Sequence, residues 1–136
     1  NKFDSSVRIR LVNHLAKELI LNFDNEQFNR LFFNLIKNSV ESIQEKAEKD
    51  SKTDKNIDIE IRQRRDYINI NIIDTGTGFK NKTTKDIIKP YFTTKEKGTG
   101  LGLSIVDKII SDHEGSIKFL NHKNGAKIQI IIPYNK

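Results

Sequence analysis

The chain has 136 residues, of which 35% are hydrophobic and 31% are charged, and its formal net charge is +6 at pH 7. This length fits one domain with a modest core, and no apolar run approaches the roughly 18 residues that a membrane-spanning helix needs. The absence of cysteine excludes disulfides and thiolate metal sites. Because the basic residues are scattered, we expect a charged surface and no direct nucleic-acid partner.

The first third of the sequence predicts two extended stretches and then a long amphipathic helix. Residues 7–11 alternate apolar and polar side chains, as in a half-buried strand, and residues 18–23 form the second stretch. Asp24 is a predicted N-cap, and Gln27 three residues later would complete a capping box. Positions with the spacing of an amphipathic helix then continue to about residue 48: Phe28, Leu31, Phe32, Leu35, Ser39 and Ile43.

One side of this helix carries an unusual polar row. Asn34, Asn38 and Glu41 are spaced at i, i+4 and i+7, directly beside the apolar stripe. Asparagine is a mediocre helix former because its amide competes for backbone hydrogen bonds. Two asparagines one turn apart at the border of a core therefore indicate a partner other than bulk water, either a ligand or a neighbouring strand.

A polar connection at residues 47–56, predicted to be a flexible loop, leads into a predicted antiparallel hairpin. Isoleucines alternate with polar residues on both sides of a turn at residues 64–66. The second strand runs directly into Asp74, which opens a first glycine loop at residues 74–79. The hairpin should therefore cover a core with one face and present a carboxylate at the end of its second strand.

A second glycine cluster, residues 98–102, opens directly into another helical pattern. A glycine run at a helix start brings together unpaired N–H groups and the positive end of the helix dipole, which suits a phosphate. The spacing matches neither a P-loop nor the dinucleotide-binding fingerprint, and two ordinary surface turns remain an alternative. The long connection at residues 79–99 is predicted to be a lid over a ligand. A closing hairpin follows, with Gly125 in its turn.

Four stretches, in this order, resemble the nucleotide-binding blocks of sensor histidine kinases. Residues 34–41 resemble the N box, 74–79 the G1 box, 90–95 the F box and 98–102 the G2 box. The amino-acid sequence of the last two blocks is most similar to that of the nitrogen-regulation (NtrY/NtrB-like) kinases. The resemblance implies a single ATP-binding catalytic domain over residues 1–136 with the Bergerat (GHKL) fold. That fold is a two-layer α/β sandwich, with a mixed, mostly antiparallel sheet of about five strands and about three helices on one face.

The same resemblance implies a role for each matching position. Asn38 would bind Mg²⁺ through its amide oxygen and would share the catalytic role with Asn34 and Lys95. Asp74 would accept a hydrogen bond from the adenine amino group of ATP. The remaining nucleotide contacts implied by the family are Glu41, Gly76, Gly78, Phe79, Phe92, Thr94, Lys97, Gly98, Thr99, Gly100, Leu101, Gly102 and Leu103.

Asn34 departs from the gyrase, MutL and Hsp90 branches of the superfamily, which have a water-activating Glu at this position. An amide cannot act as a general base, so direct ATP hydrolysis should be slow and transfer to a protein acceptor is favoured. His14, His113 and His122 do not fit the context of the family's phosphorylated histidine. His113 matches a structural histidine of the family instead.

The resemblance therefore implies partners outside this sequence. These are a helical-hairpin phosphoacceptor domain of the same protein and a downstream response regulator, and we expect the isolated chain to be a monomer. It also implies a cytoplasmic domain and leaves open whether the longer protein is anchored in the inner membrane. Two alternatives remain: a serine kinase or ATPase module of the same superfamily, and a nucleotide sensor without catalysis.

Overall fold

A computed structural model describes residues 6–15, 21, 23–79, 102–123 and 125–134. In chain order its elements are β1 (Arg8–Asn13), α1 (Asn25–Lys49), β2 (Asn56–Gln63), β3 (Tyr67–Asp74), α2 (Gly102–Asp112), β4 (Ser116–His122) and β5 (Gly125–Pro133). The strands form one sheet in the order β1-β2-β3-β5-β4, in which β1 is parallel to β2 and the other pairs are antiparallel.

The core lies between one face of this sheet and the two helices of the described part. Alternate residues point to the same face of a strand, so the buried isoleucines at the even-numbered positions of β3 and β5 line one surface. Ile70 lies opposite Ile130, and Ile72 lies opposite Ile128. Against this surface α1 buries the side chains of Leu31, Leu35, Ile36, Val40 and Ile43, and α2 buries Val106, Ile109 and Ile110. This confirms the predicted two-layer α/β sandwich with a mixed, mostly antiparallel sheet. The described residues contain two helices, against the prediction of about three.

The alternation of β3 also determines where Asp74 lies. After Ile70 and Ile72, the next position on the core face is Asp74, which is buried at the end of the strand between Ile57 and Ala126 of the neighbouring strands. The fold therefore places one carboxylate at the edge of an otherwise apolar layer, beneath helix α1.

The N-terminus of α1 confirms one half of the predicted capping box and contradicts the other. The Gln27 N–H donates to Asp24 Oδ1 at 3.0 Å, as an N-cap requires. The Asp24 N–H, however, donates to His113 Nε2 at 3.2 Å, and Gln27 Oε1 is buried without a hydrogen-bond partner in the part of the chain described here. The capping box is wrong because His113, in the turn directly after α2, takes the place of the Gln27 side chain.

His113 connects the beginning of α1 to the end of α2. Since its Nε2 accepts from Asp24, its Nδ1–H donates to the Ile109 carbonyl oxygen, at 2.8 Å. Its ring also stacks on Phe23, with the ring centroids 3.5 Å apart and an interplanar angle of 5°. The expected structural role of this histidine agrees with these contacts.

Strand β1 differs from the half-buried strand predicted at residues 7–11. It covers Arg8–Asn13 at the edge of the sheet, and Ile9 and Leu11 are 45% and 62% exposed. Among the described strands β1 pairs only with β2, so its side chains have fewer neighbours than those of a central strand. Of the second predicted stretch, only Leu21 and Phe23 fall within the described residues, and neither is in a strand.

The connection predicted at residues 47–56 is shorter than expected, because α1 continues to Lys49 and β2 already begins at Asn56. The remaining segment is held by local contacts, in which Asp50 Oδ1 accepts the Lys52 N–H at 3.0 Å and the Thr53 hydroxyl donates to the Asp50 carbonyl at 2.7 Å.

Neither helix of the described part is long and apolar enough to cross a lipid bilayer.

Candidate functional site

Asp74 lies at the base of the candidate site and is 4% exposed. Its Oδ1 accepts the Gly76 N–H at 2.9 Å. Burial raises the pKa of Asp74, while hydrogen bonds from the Gly76 and Ala126 N–H groups, the nearby Ser39 hydroxyl and the charge of Lys46 act in the opposite direction without cancelling the effect of burial. A carboxylate held in this way is well suited to accept a further hydrogen bond from a ligand.

Ser39 provides a second buried polar group beside Asp74. Its side chain is 2% exposed, and its hydroxyl is close enough to help lower the pKa of Asp74. Ser39 Oγ nevertheless falls short of full hydrogen-bond geometry with every group in the described part of the chain. A buried hydroxyl is usually satisfied by a protein group or water, so this atom has capacity for a ligand or an ordered water.

The buried carboxyl gives a testable dependence of stability on pH. Because the pKa of Asp74 is raised in the folded state, its stabilising contribution is complete below the unfolded-state value of 3.8 and is lost as pH rises through the folded value. The free energy of unfolding of Asp74→Asn relative to the native chain should therefore increase between pH 3.8 and the folded-state pKa of Asp74, and should then level off. Urea unfolding from acid to neutral pH measures this, with the exposed Asp66→Asn as the control. A difference that does not change with pH would contradict the prediction.

The first glycine loop is attached to helix α1. The Ser42 hydroxyl accepts the Thr77 N–H at 2.9 Å and lies 3.0 Å from Thr77 Oγ1, and Lys46 Nζ donates to the Gly76 carbonyl at 3.3 Å. A Cβ on Gly76 would overlap the side chain of Ser42. Glycine is therefore required here because the loop backbone lies directly against the helix.

The other end of this loop is attached to strand β4. Asn121 Oδ1 accepts the Phe79 N–H at 2.8 Å, and Gly78 before it has a φ of 76°, which a glycine adopts most easily. On the neighbouring strand, a Cβ on Gly125 would overlap the carbonyl oxygen of Asp74. The base of the site is thus built from three strands and one helix.

The predicted polar row lies where the sequence placed it. Asn34, Asn38 and Glu41 are half-buried on α1, and the buried Ser39 lies between Asn38 and Glu41 in the sequence of the helix. No group of three His, Cys, Asp or Glu side chains that could hold a metal occurs among the described residues. The Asn38 amide oxygen, with the Glu41 carboxylate three residues later on the same helix, is a donor set that suits Mg²⁺ when most of its ligands come from phosphates and water, so these residue types fit the predicted ion.

The remaining predicted site residues divide into two groups. Gly102 is the first residue of α2, and Leu103 packs partly buried against the core. All other predicted lid and glycine-cluster residues lie outside the described residues: Phe92, Thr94, Lys95, Lys97, Gly98, Thr99, Gly100 and Leu101.

The sequence reasoning missed the residues that hold the loop in place. Ser42 lies one turn after Asn38, and Lys46 lies one further turn along, so the i, i+4 spacing was a signal that could have identified both. Asn121 and Gly125 carry no comparable local signal, because only the pairing of β3, β4 and β5 brings them to the loop.

Comparison with known proteins agrees with this architecture. Residues 23–136 match the family described as histidine kinase-, DNA gyrase B-, and HSP90-like ATPase. The chain is 35% identical over 116 residues to sporulation kinase A of Bacillus subtilis, covering 85% of this chain and 18% of that protein. It is 36% identical over 103 residues to the nitrogen regulation protein NtrY of Azorhizobium caulinodans, covering 76% of this chain and 13% of that protein.

A solved structure shows the same fold. The catalytic domain of histidine kinase ThkA, in a nucleotide-free form, superposes with a TM-score of 0.77 at 27% identity, covering 95% of this chain and 80% of that one. The chain thus spans less than a fifth of the two curated relatives above but most of an isolated catalytic domain. It therefore belongs to the family of histidine kinase-, DNA gyrase B- and HSP90-like ATPases, as an ATP-binding catalytic domain of the sensor histidine kinase type.

Proposed function

We propose that this chain binds Mg-ATP and donates the γ-phosphoryl group to a histidine on a separate helical-hairpin domain of the same protein, from which a response regulator receives it. The observation that carries this proposal is the buried Asp74 carboxylate beneath α1, the helix that also carries Asn34 and Asn38. Helix α1 therefore packs over the proposed base-recognition group and also carries the residues that the family assigns to the phosphates.

The chemistry around Asp74 favours adenine over guanine. An ionised carboxylate accepts a hydrogen bond from an exocyclic amino group, and the Ser39 hydroxyl can donate to the adjacent ring nitrogen, directly or through a water. Guanine presents a carbonyl oxygen at the same ring position, which would face the carboxylate with two acceptors opposed. The free hydrogen-bonding capacity of Ser39 Oγ supports this assignment.

The phosphate end needs residues that position groups rather than react. Mg²⁺ held by Asn38 would neutralise charge on the phosphates during transfer. Asn34 has no proton-accepting group and cannot activate water, so the nucleophile has to come from the acceptor imidazole, which attacks the γ-phosphorus as ADP leaves. His113 is engaged at both ring nitrogens, which supports an acceptor outside this chain.

The test is transfer of label from γ-³²P-ATP to the separately produced helical-hairpin domain of the parent kinase. We expect acid-labile, alkali-stable label on that domain, and none when its acceptor histidine is replaced by Gln. Asn38→Ala should reduce the rate by at least about a hundredfold, as for other groups that hold charge in the transition state. Asn29→Ala is the matched control, because Asn29 is an exposed asparagine on the same helix.

The other outcomes identify the alternatives. Acid-stable label on serine would indicate a serine kinase, and rapid release of phosphate without a labelled protein would indicate an ATPase. ATP binding with neither transfer nor hydrolysis would indicate a nucleotide sensor. Each of these results would replace the proposed histidine kinase activity.

A further inference from the structure

We propose that Ser42 is a positioning residue for adenine recognition, whose hydroxyl holds the loop after Asp74 in the conformation that binds the base. This inference rests on the proposed binding of ATP at Asp74. It adds a residue that itself touches neither the base nor the phosphates and acts through its contact with Thr77.

Ser42 holds both the main chain and the side chain of one loop residue. Its Oγ accepts the Thr77 N–H at 2.9 Å and lies 3.0 Å from Thr77 Oγ1, in partly buried surroundings. In such surroundings a hydrogen bond competes less with water than it would on an open surface. Removal of the hydroxyl would leave a backbone N–H of the loop without its partner on the helix.

The connection from Ser42 to the base passes through one further residue. Gly76 precedes Thr77, and its N–H donates to Asp74 Oδ1 at 2.9 Å. Gly76 also lies so close to α1 that a Cβ on it would overlap Ser42. If Thr77 is released, Gly76 can move away from the helix, and the bond that orients the Asp74 carboxylate is weakened.

The position of Ser42 on α1 gives this contact its functional consequence. Ser42 follows Asn38 by one helical turn, so a single rigid element fixes both the proposed metal ligand and the loop that carries Asp74. A second contact from the same helix, between Lys46 Nζ and the Gly76 carbonyl at 3.3 Å, acts in the same direction. The distance between the two ends of the nucleotide site is therefore set by α1.

The test compares Ser42→Ala with the native 136-residue chain, using ATP and purine riboside 5′-triphosphate, which lacks the 6-amino group. The native chain should bind ATP about 10- to 100-fold more tightly than the analogue, as expected for a hydrogen bond to a charged group. Ser42→Ala should raise the Kd for ATP about tenfold and leave the Kd for the analogue within about twofold. A merely structural role would change both constants together.

A check of folding and three further variants separate the effect on binding from an effect on folding. Alanine is a better helix former than serine, so α1 should be retained, which circular dichroism and the melting temperature can verify. Ser111→Ala, an exposed serine on α2, is the matched control and should change neither Kd. Thr77→Val should reproduce part of the loss, because only the hydroxyl contact disappears, and Thr77→Ser should restore the native preference for ATP.

The outcomes separate this inference from the function on which it rests. Failure of the native chain to bind ATP, or equal affinity for ATP and the analogue, would overturn the proposed adenine site and the inference with it. The positioning role alone would be overturned if the native chain prefers ATP but Ser42→Ala leaves both Kd values unchanged or raises both by the same factor. A selective loss for ATP would support it.

Discussion

Replacement of Asp74 by alanine is expected to weaken ATP binding at least about thirtyfold, because hydrogen bonds to a charged group contribute about 2 kcal/mol or more. The carboxylate is the buried acceptor at the base of the site, and water cannot readily take its place in a setting where the side chain is 4% exposed. The fold should persist, since the substitution removes a group whose charged form is disfavoured by burial. Calorimetric titration with ATP, with and without Mg²⁺, measures the effect.

The control for this prediction is Asp66→Ala, which removes an exposed aspartate just before the same strand. It should leave the affinity for ATP unchanged. Binding that is indifferent to Asp74 would show that the base lies elsewhere, while the fold assignment would stand. Binding that depends on Asp74 and responds to Mg²⁺ would support the adenine and metal assignments together.

Replacement of Gly125 by valine should have the largest effect on stability. A Cβ at this position would overlap the Asp74 carbonyl oxygen and lie 2.9 Å from its carbonyl carbon and 3.1 Å from Thr75 Cα. All three are backbone atoms, so no side chain can rotate away to relieve the contact. We expect a loss of about 3 kcal/mol in the free energy of unfolding and a melting temperature lower by roughly 10 °C.

Lys118→Val is the control, because it places the same β-branched side chain at an exposed position of the neighbouring strand β4. Thermal unfolding should distinguish the two variants clearly, with little change for Lys118→Val. Any Gly125→Val protein that remains folded should also bind ATP weakly, since β3 has to shift where it ends at Asp74. A variant as stable as the native chain would show that β3 and β5 can separate locally without loss.

The strands were predictable because their signal is local. Alternation of isoleucine with polar residues on β2 and β3 identifies the hairpin and its core face, and the same period of two, carried one step further, places Asp74 on that face. The exposure of Ile9 and Leu11 was not predictable in this way. Whether an alternating strand is half-buried depends on its place in the sheet, and β1 lies at the edge.

The site was predictable only where its residues are close in sequence. The spacing of Asn34, Asn38 and Glu41 is by itself enough to identify the polar side of α1. The bond between Asp24 and His113 joins residues 89 positions apart, so the local pattern indicated a capping box with Gln27 instead. The contact from Asn121 to the loop, 42 positions away, was not predictable either, because it depends on strand pairing.

The length of helix α1 constrains which insertions and deletions the nucleotide site can accept. Between Asn34 and Lys46 it extends about 18 Å, and along this length the proposed phosphate contacts precede the contacts to the adenine loop. One residue inserted between Asn38 and Ser42 would turn the base end by about 100° relative to the phosphate end. An insertion in the connection between α1 and β2 would disturb neither. Variation in length during evolution should therefore be confined to connections and excluded from this one helix.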